Sequence, residues 1–371
     1  MAVFMNRLPR STDVFVIGGG PAGLAAAIAA RRKGFGVVLA DCAVPPIDKA
    51  CGEGLMPDGV AAARSLGILL ERLDVRPFPG IRFCEAGSSA EARFPRGEGL
   101  GIRRTALHDF LAGYAAEVGV QLSWGLRIRG MEDGTIWTED QSVQARWIIG
   151  ADGANSRVRR WAGLDASVYH RRRFGFSRHY ALRPWTEFME IHWADECQLY
   201  ITNVSDREVC VALLSRSAAL RPEQALLRFP EVARRLSDAA IDPARERGGI
   251  SAHRRLKAVV RGQVALVGDA SGSVDAVTGE GLCLLFQQAC ALAEALETGD
   301  LTLYEAEHRR IGRRPEWMAE LLLLLDRRRH LRHGVMAIFD ACPPIFARLL
   351  AMHVDGRRTR GLLQEPSATI S

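Results

Sequence analysis

Lysine is almost missing from this chain. Only Lys33, Lys49 and Lys257 occur in 371 residues, although lysine and arginine together number 49. The positive charge is nearly all arginine, so each lysine stands out. No CxxC pair exists among the eight cysteines, which are scattered as Cys42, Cys51, Cys84, Cys197, Cys210, Cys283, Cys290 and Cys342. That excludes a zinc knuckle and a thioredoxin-like motif, and no metal site is expected. Free thiols in a reducing compartment are what such spacing implies. No apolar run approaches the ~20 residues that cross a bilayer; Leu321–Leu325 is a short one. The opening MAVFMNRLPR is too short in its apolar part for a signal peptide, so a cytoplasmic location is expected. The formal charge of +6 comes with no Lys/Arg run interleaved with aromatics. Nucleic acid is therefore not an expected partner.

What is present is an ordinary globular composition, 48% hydrophobic and 25% charged. Its most informative stretch is Val14–Gly23, VFVIGGGPAG. An apolar strand runs into Gly18, Gly20, Pro21, Ala22 and Gly23, and an alanine-rich helical segment follows. In a G-x-G-x-x-G turn the first glycine avoids a Cβ clash. The second lets backbone approach a pyrophosphate, and the third lets helix and strand pack closely. The phosphates then meet the free N–H groups and positive end of the helix. A second apolar run, Val37–Ala40, ends in Asp41, about where a ribose hydroxyl is held.

Downstream, Trp147–Gly150 reads as a strand leading into IGADGANSR, residues 149–157, and Val264–Val267 as a strand leading into VGDASGSVDAVTGEGL, residues 267–282. With the glycine turn, in this order, the chain resembles the glutathione-reductase-type FAD proteins of the p-hydroxybenzoate hydroxylase class. That superfamily includes flavin monooxygenases, geranylgeranyl reductases and flavin halogenases. The resemblance covers roughly residues 13–300 and implies FAD at the glycine turn. It implies that Asp41 holds the adenosine ribose and that Arg104, or its neighbour Arg103, lies over the cofactor. It places Asp152 near the phosphates and gives Asp269, after Gly268, the ribityl chain. The helix starting near Gly279, Glu280, Gly281 and Leu282 would point its positive end at the flavin's pyrimidine edge. Without the glycine turn, Asp152 and Asp269 read first as turn formers after strands.

The segment DKACGEGL resembles the Lys/Cys-Gly-rich loop that geranylgeranyl reductases carry beside the flavin. Lys49, Cys51 and Gly52 are thus cofactor candidates, and Lys49 and Cys51 are the only catalytic ones. The plainer readings are a solvated loop lysine and a packed thiol. The halogenases' W-x-W motif is missing. His179, Trp185, His192 and Tyr200 fall on short β-like runs between about 172 and 216, and alternate residues of such strands could line a substrate cavity. The C-terminal segments HRRIGRR and DRRRHLRHG suggest a weak membrane-surface contact or, more plainly, a solvated charged face.

The expected fold is α/β. A Rossmann-like FAD-binding domain (1–165 and 258–300) carries an inserted β-rich substrate domain (166–257), C-terminal helices (301–356) and a disordered tail (357–371). Residues 42–60 read as a long loop and 58–72 as a helix. The expected function is an FAD-dependent oxidoreductase, first a monooxygenase of a small apolar, aromatic or polyketide-like metabolite. The rivals are a geranylgeranyl-reductase-like enzyme that saturates C=C bonds and an electron-transfer flavoprotein serving a quinone or partner. No second glycine fingerprint is present, so NADH or NADPH would visit transiently or a partner reductase would supply electrons. Oligomeric state is not legible.

Overall fold

A computed structural model describes residues 8–85, 87–241 and 246–354; the tail at 357–371 lies outside these. The apolar run before the glycine turn forms β1 (Ser11–Ile17), and Val14, Phe15 and Val16 are fully buried. The turn opens α1 (Pro21–Arg32), whose Pro21 occupies a first-turn position that needs no N–H donor. Alanines along α1 let it lie flat on the sheet, and the chain returns through β2 (Val37–Asp41). β1 pairs in parallel with β2 on one side and with strand Ser142–Gly150 on the other. The spatial order is Val260–Arg261, Val264–Leu266, Ser142–Gly150, β1, β2, Gln121–Trp124. Five of these strands are parallel and end at the same edge, where a doubly wound sheet binds its ligand. A groove of ≈ 790 Å³ lies at the opposite, amino-terminal edge, beside Ser11, Val37, Gln121 and Gln144.

The remaining helices are α2 (Pro57–Ser65), α3 (Arg104–Glu117), α4 (Arg157–Trp161), α5 (Pro222–Leu226), α6 (Pro230–Leu236), α7 (Gly281–Thr298), α8 (Leu301–Arg327), α9 (Arg329–Ala341) and α10 (Pro343–Val354). The expected 58–72 helix is shorter: α2 stops at Ser65, and Leu70–Arg72 forms a separate 3-10 turn. Gly67, at φ +72, breaks the helix between them.

A second sheet takes Ser167–Ala181, Met189–Ala194, Cys197–Ser205, Glu208–Ser215 and Arg247–Leu256. It also takes Gly80–Glu85 and Ser88–Arg93 from before the 166–257 segment. Gly80–Glu85 joins in parallel beside Met189–Ala194, and the other strand pairs of this sheet are antiparallel. Alternation gives the sheet two faces. Leu199, Ile201, Val209, Val211 and Leu213 belong to a separate core under α5 and α6. Gln198, Tyr200, Thr202 and Cys210, one residue out of phase, reach the FAD-side elements through their hydrogen bonds. Among the described residues no single helix is long and apolar enough to cross a membrane.

Candidate active site

The glycine turn is built by close backbone approach. Gly18 has φ +115, and a Cβ there would stand 2.4 Å from the Ala151 carbonyl. A Cβ on Gly23 would stand 1.8 Å from the Gly18 oxygen. Both are closed to any side chain by the protein itself. Gly20 is different: a Cβ there meets nothing within 4 Å, and the same holds for Gly52, Gly279 and Gly281. These glycines come from three separate loops and leave open the space their side chains would fill. Such a cradle fits a pyrophosphate against the free N–H groups opening α1.

Around it, the carboxylate of Asp41 accepts from Gly19 N–H (2.6 Å) and Ala43 N–H (2.7 Å) and so fixes the turn. His108 of α3 braces the same turn, its Nε2 lying 2.9 Å from the Gly19 oxygen, and the Trp124 ring lies against Gly19. The sequence reading missed His108; nothing marks it except its place one residue after Leu107 in the R-x-x-L pattern. Asp152 uses Oδ2 to cap α4, accepting from Arg157 N–H (2.7 Å) and Val158 N–H (3.2 Å). Its Oδ1 is buried without a hydrogen-bond partner, as is Nε of Arg104. Buried polar atoms left over in this way suit a polar ligand that completes them.

Lys49 reaches across the fold to Asp269, its Nζ donating at 2.6 Å to Oδ2. This joins the DKACGEGL loop to the 3-10 turn Gly268–Ser271. From below, Ser271 Oγ lies 2.9 Å from His308 Nε2, and burial pulls that imidazole down to about 4. α7 then begins at Gly281. The side chain of Glu280 turns away from the cradle. It is buried beneath α10, 3.4 Å from His353, where burial and then the nearby Asp58 hold it well above the usual carboxylate range. Leu282 is packed in the core.

The residue the sequence reading missed entirely is Glu53. It has φ +56 and is buried. Its Oε1 accepts from Arg104 N–H at the start of α3 (2.8 Å), and its Oε2 lies 2.7 Å from His179 Nε2 on the second sheet. Arg103 stands 4.0 Å from the same oxygen and 3.5 Å from Glu208. Cys51 and Cys210 adjoin this pair; Cys51 Sγ accepts from Glu53 N–H, and the Cys210 thiol donates to the Cys51 carbonyl. Burial raises both thiols, which therefore stay protonated at neutral pH. A thiolate role for Cys51 finds no support here.

The four cavity residues divide. His179 and Tyr200 face the FAD-side elements, Tyr200 donating to the Val277 carbonyl at 2.7 Å. Trp185 and His192 lie on the opposite side. Both bond Glu190 Oε2, at 3.1 and 2.9 Å, and His192 stands edge-on to Phe229 of the α5–α6 core. The structure thus does not bring them to the cradle. The physical reason is strand phase: His192 falls in step with Glu190, and out of step with Ile191 and Trp193 of the main core.

A family model described as an FAD binding domain matches residues 11–299. The chain belongs to this FAD-binding family. It is an FAD-dependent oxidoreductase of the superfamily that joins p-hydroxybenzoate hydroxylase and the geranylgeranyl reductases. It is 30% identical over 327 residues to menaquinone reductase of Mycolicibacterium smegmatis, covering 79% of this chain and 78% of that one. Over 319 residues it is 28% identical to para-nitrophenol 4-monooxygenase of Pseudomonas sp. strain WBC-3, covering 76% and 77%. Its fold matches p-nitrophenol 4-monooxygenase of Pseudomonas putida DLL-E4 with a TM-score of 0.78 at 19% identity, over 94% of this chain and 100% of that one.

Proposed function

We propose that the chain reduces a lipophilic unsaturated compound of quinone or isoprenoid character, using electrons that pass through FAD from NADH, NADPH or a partner reductase. The observation that carries this reading is the buried Glu53–His179 pair. Saturating a double bond takes a hydride at one end and a proton at the other. FAD, when bound, supplies the two-electron chemistry; the chain must supply the proton. The residues that would hold the cofactor are the glycines of the cradle, Asp41, Arg104, Asp152, Lys49 and Asp269.

Glu53 and His179 hold a proton between Oε2 and Nε2 over 2.7 Å. The Arg104 N–H fixes the carboxylate on its other oxygen, so the pair cannot swing away. His179 Nδ1 is buried with no hydrogen-bond partner; in this reading it faces the substrate and gives up its own proton, while the ring takes the one shared with Glu53 at Nε2. Burial keeps water from taking the proton's place. The similarity to menaquinone reductase supports the substrate class, and the DKACGEGL and TGEGL segments support it from within the chain. Eight unpaired cysteines suit a cytoplasmic location.

Glu53→Gln keeps an oxygen for the Arg104 N–H and removes the acid. Its kcat should fall more than tenfold, equal to at least about 1.4 kcal/mol in barrier, with flavin content unchanged. His179→Asn should do the same. Full turnover in both flavin-loaded variants would remove the pair from the chemistry. Hydroxylation of a small aromatic is the second reading, favoured by the match to para-nitrophenol 4-monooxygenase over most of both chains.

A further inference from the structure

The outer face of α9 is apolar and turned to solvent. Leu331, Gly334, Ile338 and Ala341 recur at three- and four-residue spacing and are all exposed; Leu331 is 44% and Ile338 50% accessible. The chain then turns through 107° into α10. All five residues of the elbow, Ala341, Cys342, Pro343, Pro344 and Ile345, are exposed. In α10 the face continues with Ile345 and Met352 on either side of Arg348. A globular protein hides such a stripe unless something covers it.

The inner face is fully used. Met336 and Phe339 of α9 and Phe346 and Leu350 of α10 are buried. Phe339 and Phe346 stack with ring centroids 4.8 Å apart, and Phe346 lies 4.8 Å from Phe83 of the second sheet. Arg332 pins α9 further by its ion pairs with Glu85 and Asp195. The helices are therefore held rigidly with the apolar side outward. They have 13 and 12 residues and lean on protein, so they do not span a bilayer.

Charge identifies the occupant. Arg327, Arg328, Arg329 and His330 stand exposed at the start of α9. Between residues 327 and 354 there are five arginines and one acid, Asp340. An apolar protrusion with an arginine rim complements an anionic lipid surface, in which bulky side chains enter the acyl boundary and guanidinium groups meet phosphates. A projecting elbow also needs no matching groove, only a surface that deforms around it. We propose that α9 and α10 seat the protein on an anionic membrane surface without crossing it. The elbow Ala341–Ile345 is the inserted part and Arg327–Arg329 the headgroup contact. This stands whichever substrate the flavin site takes.

Flavin-loaded protein should co-sediment with vesicles of phosphatidylglycerol and phosphatidylcholine, much less with phosphatidylcholine alone, and release as salt rises. The double variant Ile338→Glu, Ile345→Glu should lower the bound fraction at least tenfold. Arg327→Ser, Arg328→Ser, Arg329→Ser together should erase the preference for anionic vesicles. Flavin absorbance should be unchanged in both, and the milder Ile338→Ser should lose binding partially. Equal binding of the parent and the double glutamate variant would overturn the proposal. So would a lipid-free dimer that the double variant dissociates, which would make this face a contact between copies.

Discussion

At the scale of single residues, glycines of one motif have different duties, and mutation should separate them. Gly18 and Gly23 are closed by backbone, whereas Gly20 opens onto the cradle. Gly20→Val should therefore fold with near-normal stability yet lose FAD, read as a colourless protein of unchanged melting cooperativity. Gly23→Val should fail to fold, because its side chain collides with the Gly18 carbonyl. A yellow Gly20→Val protein would place the cofactor elsewhere. The roles of Gly18 and Gly23 were legible because a local turn dictates them. Glu53 was not legible: its role depends on a left-handed backbone and on His179, 126 positions away. Trp185 and His192 show the complementary limit. Alternation along a strand tells which residues share a face, but which face meets the cofactor is set by packing.

At the scale of elements, the strand–turn–helix units and α7 were readable, because buried apolar runs and helical spacing fix them. The strands Gly80–Glu85 and Ser88–Arg93 were not. Their inward positions include Ala90 and Ala92, poor strand formers that gain their place from pairing with the second sheet. α8 carries a testable pH effect. His308 supports the turn bearing Asp269 and is held to about 4 from its ordinary 6.5 by burial. The folded state keeps it neutral, so the unfolded chain binds the extra proton between these values. Stability should be full above pH 6.5 and fall as pH drops towards 4, by up to about 3 kcal/mol from this group. Melting temperatures at pH 7.5 and 5 should show a smaller acid loss in His308→Gln than in the parent. An identical loss in both would mean that His308 does not drive the slope.

At the scale of the whole molecule, one buried arginine ties three parts together. Arg173 comes from the second sheet, Asp275 from the loop before α7 and Asp326 from α8. Its Nε lies 3.1 Å from Asp275 and its Nη2 2.8 Å from Asp326. Removing it takes the nearest cation from two buried carboxylates and leaves Asp326 only the partly exposed Arg216, 3.6 Å away. Arg173→Met should cost about 3–5 kcal/mol in urea unfolding. Adding Asp326→Asn should recover part of that loss, because one of the stranded charges is gone. No recovery would show that packing, not charge, accounts for the cost.

We propose that this flavin enzyme hydrogenates a lipophilic unsaturated substrate without oxygen. The direct measurement uses photoreduced holoenzyme, mixed anaerobically with a menaquinone or a geranylgeranyl lipid dispersed in detergent. The oxidised flavin spectrum should return in proportion to substrate, with a product heavier by two hydrogen atoms. A flavin that stays reduced until oxygen is admitted, and then yields a product heavier by one oxygen atom, would contradict it.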